Sequence, residues 1–71
     1  MNTNTTPQLT QQEKQILNMV RSGSTNKEIA LAMSLSVRTV EYHLGKIFQK
    51  LDVSNRTAAV MTAVKLGLIE D

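Results

Sequence analysis

Thr10-Gln11-Gln12-Glu13 and Thr25-Asn26-Lys27-Glu28 repeat one pattern, a threonine followed three residues later by a glutamate. In each, the hydroxyl is placed to accept from the glutamate amide while the carboxylate reaches back to the threonine amide. Such a capping box stabilises a helix start by about 1 kcal/mol. Two fixed starts so close together leave room between them for only one short helix. Ile16, Leu17 and Val20 give that helix one apolar face with Met19 at its edge, and Gly23 is placed to end it in the left-handed conformation. The first helix is therefore predicted from Gln11 to about Ser22.

The second box opens a helix of barely two turns, with Ile29, Ala30 and Met33 facing inward. Ser34-Leu35-Ser36 interrupts it: the hydroxyls compete for backbone hydrogen bonds, Leu35 can plug the core from the turn, and Ser36 can cap the next helix. That third helix is predicted from Val37 to about Leu51, roughly 22 Å at 1.5 Å per residue. Val40, Leu44, Ile47, Phe48 and Leu51 form its apolar stripe. Arg38, Tyr42, Gly45, Lys46 and Gln49 lie opposite, with Glu41 and Lys50 on the flanks. After Asp52-Val53, either Ser54 or Asn55 caps a fourth helix to Leu66, ended by Gly67. Its predicted inner face is Ala59, Val60, Ala63, Val64 and Leu66, and Leu68 and Ile69 fold back as an apolar clasp.

Hydrophobic residues make up 41% of the chain and aromatic residues only 3%, so an aliphatic core must hold these helices together. There is no cysteine and one histidine, which leaves neither a disulfide nor the donor set of a structural zinc site. No cofactor and no metal are expected. Nucleophile–base pairs and glycine-rich phosphate loops are also missing, so the chain does not read as an enzyme. No stretch approaches the ~20 apolar residues needed to span a bilayer. A cytoplasmic protein without membrane contact is the expectation.

A short helix, a tight turn and a longer helix with a polar outer face is the helix-turn-helix plan, whose second helix lies in the DNA major groove. The net charge of +2 is weak support, but Lys27, Arg38, Lys46, Lys50 and Arg56 concentrate in the middle of the chain against Glu28, Glu41 and Asp52. Gly45 costs that outer face about 1 kcal/mol relative to alanine. It is either merely tolerated there or kept for close approach to a groove wall. His43 sits at the border of the apolar stripe and reads as a packed imidazole in preference to a phosphate contact or a pH sensor.

These residues resemble the LuxR-type, or GerE-type, DNA-binding domain. The resemblance rests on Leu9-Thr10 with Glu13, Gly23, Asn26-Lys27-Glu28-Ile29-Ala30, Leu35-Ser36, Thr39-Val40-Glu41-Tyr42-His43-Leu44, Lys50-Leu51, Asn55-Arg56 and Ala59-Val60, and it runs from Leu9 to Ile69. It implies an all-α four-helix bundle with a central helix-turn-helix and no β wing. It also implies a role in bacterial transcription and dimerisation on DNA through the fourth helix. By the same resemblance Glu41, Tyr42 and Gly45, with Arg38 on the same face, meet base edges. Asn26, Lys27, Thr39, Lys46, Lys50 and Arg56 meet phosphate. The outer face of the fourth helix, Ala58, Met61, Thr62 and Lys65, becomes the dimer seam. Some family members carry lysine where this chain has Glu41 and Gly45. Glu41 is then either a specificity determinant, accepting from the exocyclic amine of cytosine, or the partner of a basic residue one turn away.

Residues 1–8 are expected to be a leader or a stub of linker, with residues 9–71 as the DNA-binding domain. The Asn/Thr-rich leader is similar to the tether between a receiver or ligand-binding domain and its output domain, which favours a fragment of a larger regulator. The expected partners are double-stranded DNA and a second copy on DNA, with RNA polymerase as a further partner. Two other readings stay open, a protein-interaction module that binds RNA polymerase or another regulator, and a sigma-factor promoter-binding region.

Overall fold

Side-chain caps start all four helices, and a repeated backbone closure ends them. The computed structural model describes residues 7–70, with α1 at Gln11–Arg21, α2 at Asn26–Met33, α3 at Val37–Leu51 and α4 at Arg56–Lys65. No strand occurs among the described residues. Of the expected leader, residues 1–6 lie outside the described residues. Both capping boxes are formed. The Thr10 and Thr25 hydroxyls each accept from the glutamate amide at 3.1 Å, and the carboxylates accept from the threonine amides at 2.9 and 2.8 Å. Ser36 caps α3 by accepting from the Thr39 amide at 3.0 Å. At α4 the cap is Asn55, which accepts from Ala58 at 2.8 Å.

Each helix ends with an amide reaching back five residues: Ser24 to Met19, Leu35 to Ala30, Val53 to Phe48 and Leu68 to Ala63, at 2.8–3.0 Å. This closure requires a left-handed residue just before the donor. Gly23 and Gly67 supply it without cost, while Ser34 (φ 57°) and Asp52 (φ 56°) adopt it as L residues. The residues that follow explain why. Leu35, Val53 and Leu68 turn back against the core, so apolar burial offsets the strained dihedral. Two boundaries differ from the sequence expectation. α1 stops at Arg21, and α4 stops at Lys65, with Leu66 as its C-cap. Leu66 is accordingly exposed and not on the inner face, because the reversal at Gly67 hands its place in the core to Ile69, which is buried.

Ile16, Leu17, Ile29, Val40 and Ile47 are fully buried, and Ala59 and Ala63 allow α4 to pack closely on α1 and α3. Each buried Ile, Leu or Val contributes about 1.5–3 kcal/mol. α2 packs on α3 across the Ser34–Ser36 turn, and α1 and α4 brace α3 from behind. Val40, Leu44, Ile47 and Leu51 anchor α3, which forces its opposite face into solvent. Among the described residues, no helix is long and apolar enough to cross a membrane, and no group of metal-binding side chains is assembled.

Candidate nucleic-acid interface

With its stripe locked inward, α3 exposes Arg38, Glu41, Tyr42, Gly45, Lys46 and Gln49. Tyr42 is 61% exposed. The Lys46 ammonium lies 5.7 Å from the centre of its ring, a stacking worth about 0.5–1 kcal/mol at an open site. The half-buried His43 ring meets Tyr42 edge-on, with centroids 5.6 Å apart. Tyr42 and Lys46 thus lie side by side on the outer surface.

Glu41 has no ion-pair partner: the only salt bridge among the described residues joins Lys50 and Glu13. Gly45, one turn on, has no positive φ, and a Cβ built there would meet nothing within 4 Å. The fold does not require a glycine at this position. Asn26, Glu41, Leu44, Gly45, Phe48 and Arg56 line a shallow recess of about 320 Å³ between α3 and the starts of α2 and α4.

Asn26 and Arg56, both expected at phosphate, are brought together. The Arg56 guanidinium donates to the Asn26 side-chain carbonyl and to the Ser24 carbonyl at 3.2 Å, tying the start of α4 to the start of α2. Lys27 is exposed in the first turn of α2. Thr39 is half-buried, and its hydroxyl accepts from that of Ser36 at 2.9 Å.

Lys50 is placed differently from the other expected phosphate contacts. Its ammonium donates to Glu13 Oε1 at 2.7 Å and to the Gln8 carbonyl at 3.2 Å, both within the domain, while the side chain stays partly exposed. Glu13 is only 4% exposed. Burial by itself pushes its carboxyl up, but the hydrogen bonds from Lys50 and Thr10 and the Lys50 charge outweigh burial and hold it below its ordinary value. One carboxylate therefore caps α1 and fastens the end of α3 to it. Gln8, read from the sequence as part of the leader, is attached to the domain by the same lysine.

On α4, Met61 is 67% exposed. Ala58, Met61, Thr62 and Lys65 share an open apolar groove of about 670 Å³ with Arg21, Val60 and Val64. The last three were not among the expected seam residues. Val60 and Val64 read as core from periodicity, and Arg21 belongs to a distant helix.

A helix pair joined by a tight turn, with its second helix anchored inward and open outward, defines the helix-turn-helix class. The model of the family described as "Bacterial regulatory proteins, luxR family" matches residues 7–63. The chain belongs to this family, which is one of transcription regulators with a DNA-binding domain and not of enzymes. Among similar proteins, the transcriptional regulatory protein YhcZ of Bacillus subtilis (strain 168) is 44% identical over 61 residues, 86% of this chain and 28% of YhcZ. The solved structure of the transcription factor GerE superposes with a TM-score of 0.83 at 31% identity, covering 87% of this chain and 92% of that one. The ComA DNA-binding domain, solved in complex with the anti-activator RapF, gives 0.77 at 52% identity, covering 79% and 97%. The chain spans only 28% to 42% of the length of the curated regulators it matches first.

Proposed function

We infer that this chain binds DNA sequence-specifically as the output domain of a transcription regulator, with α3 in the major groove. The observation that carries the reading is the division of α3 into a buried stripe and an open face bearing Arg38, Glu41, Tyr42, Gly45 and Lys46. A groove about 12 Å wide admits one such helix. Arg38, Glu41, Tyr42 and Gly45 meet base edges. Lys27, Lys46 and Arg56, with Asn26 and Thr39 as neutral donors, hold phosphate. Lys50 pairs with Glu13, and in this reading it holds α3 in place and adds no phosphate contact. With three phosphates neutralised per monomer, log affinity falls against log salt with a slope of about −3. The chain acts where the DNA is, in the cytoplasm of a bacterium.

Two copies meet on DNA through the α4 groove around Met61. One helix face is small against the ~1,000 Å² that a stable interface buries, so the pair forms when adjacent half-sites raise the local concentration. RNA polymerase is a further partner in this reading. A second reading, a docking surface for another protein, has specific support in the RapF complex of the ComA domain. Titration of labelled duplexes at two salt concentrations separates the two readings. Steep salt dependence supports DNA binding, and a flat response in a clean titration overturns it.

A further inference from the structure

We propose that the recess beside Glu41 and Gly45 is the base-reading subsite of this domain, and that it selects cytosine. The inference rests on the DNA-binding reading above and adds to it the identity of the base. Glu41 is exposed and, among the described residues, carries no ion pair, so its carboxylate can accept a hydrogen bond from outside the domain. In the major groove, the exocyclic amine of cytosine is the donor that a carboxylate accepts from, and adenine pairs better with the amide of Gln or Asn. Helical side chains lean toward the N-terminus, so any side chain at position 45 would cover the surface beside Glu41. Gly45 leaves that surface bare. Nothing within the domain occupies the space, and no backbone strain calls for glycine there. The helix gives up stability for an opening that only an outside molecule can use.

A carboxylate in a groove walled by phosphates is repelled, and the same recess contains the remedy. Arg56 lines it too, tied to the Asn26 side chain and the Ser24 carbonyl. Among the described residues, its guanidinium has no carboxylate partner. Its positive charge in the same recess offsets the repulsion of Glu41 and leaves the acceptor character of the carboxylate available to the base. Leu44 and Phe48 also line the recess, where they offer no competing polar group.

Binding selection from a randomised duplex library, run with the parent chain and with Glu41→Gln and Gly45→Ala, tests this together with melting of each free protein. The parent motif should contain a fixed cytosine that Glu41→Gln exchanges for adenine, with about tenfold discrimination at that base pair. Glu41→Gln should melt like the parent. Gly45→Ala should melt about 4–8 °C higher, as the gain in helix propensity predicts, yet bind the parent motif about tenfold more weakly. A motif unchanged by Glu41→Gln, a parent motif without the cytosine, or a Gly45→Ala protein that binds as tightly as the parent would each overturn the subsite while leaving DNA binding by α3 intact. A parent chain that recovers no motif at low salt overturns both readings.

Discussion

Replacing Glu13 with alanine should destabilise the domain far more than the same change at Glu28, although the two residues occupy the same position in the same capping motif. Glu28 accepts from the Thr25 amide on an exposed surface. Its loss removes one cap interaction, about 0.5–1 kcal/mol. Glu13 makes the equivalent bond to Thr10 and also receives the Lys50 ammonium at 2.7 Å. A hydrogen bond between charged groups contributes about 1.5–3 kcal/mol. The Lys50 side chain retains 32% exposure, so it rehydrates when its partner is removed, and the lower end of that range applies. The combined cost at Glu13 is then about 2–3 kcal/mol, a fall in Tm of about 8–24 °C for a domain of this size. Urea unfolding followed by far-UV circular dichroism measures both variants against the parent, and an unchanged m-value certifies that the midpoints report stability. Glu13→Gln keeps an acceptor for Thr10 without the charge and should fall between the two. Equal losses for Glu13→Ala and Glu28→Ala would refute the role given to the Lys50 strap.

The same carboxylate makes stability depend on pH. Its pKa is lower folded than unfolded, so the unfolded chain binds more protons in acid. The contribution is complete at neutral pH and lost as pH falls below the ordinary glutamate range, and Glu13→Gln should flatten the acid limb of a Tm-against-pH curve. Lys46→Ala should reduce the salt slope of DNA binding by about one unit, whereas Lys50→Ala should leave the slope unchanged and lower Tm. Ala58→Glu should weaken binding to a duplex with two adjacent half-sites and leave a single half-site unaffected, as gel-shift titration of both probes can show.

What the sequence disclosed follows from the range of the interactions. Helix starts were legible because a cap acts between residues three apart, so Thr10 with Glu13, Thr25 with Glu28, and Ser36 could be read directly. The left-handed turn at Asp52 was not, since it depends on Val53 reaching a core built from other helices. Leu66 failed for the related reason that periodicity continues on paper past the point where Gly67 turns the chain. The outward face of α3 was recoverable from its stripe alone. The fate of its charges was not: Lys50 meets Glu13 across 37 residues of chain and Arg56 meets Asn26 across 30. Neither pairing has a local signal, so the sequence alone gives no hint that Lys50 meets Glu13. Glu41 is the reverse case, because its two readings diverged on whether a basic partner stood within reach, and the structure supplies none.

Amide chemical-shift mapping of the labelled protein during titration with a selected duplex tests most directly whether the exposed face of α3 is the surface that meets DNA. The largest changes should fall on Arg38, Glu41, Tyr42, Gly45 and Lys46, with Lys27 in the first turn of α2, while Lys14, Gln15 and Asn18 on the exposed side of α1 should stay unmoved. Saturable binding whose largest changes lie on α1, with α3 silent, would contradict it.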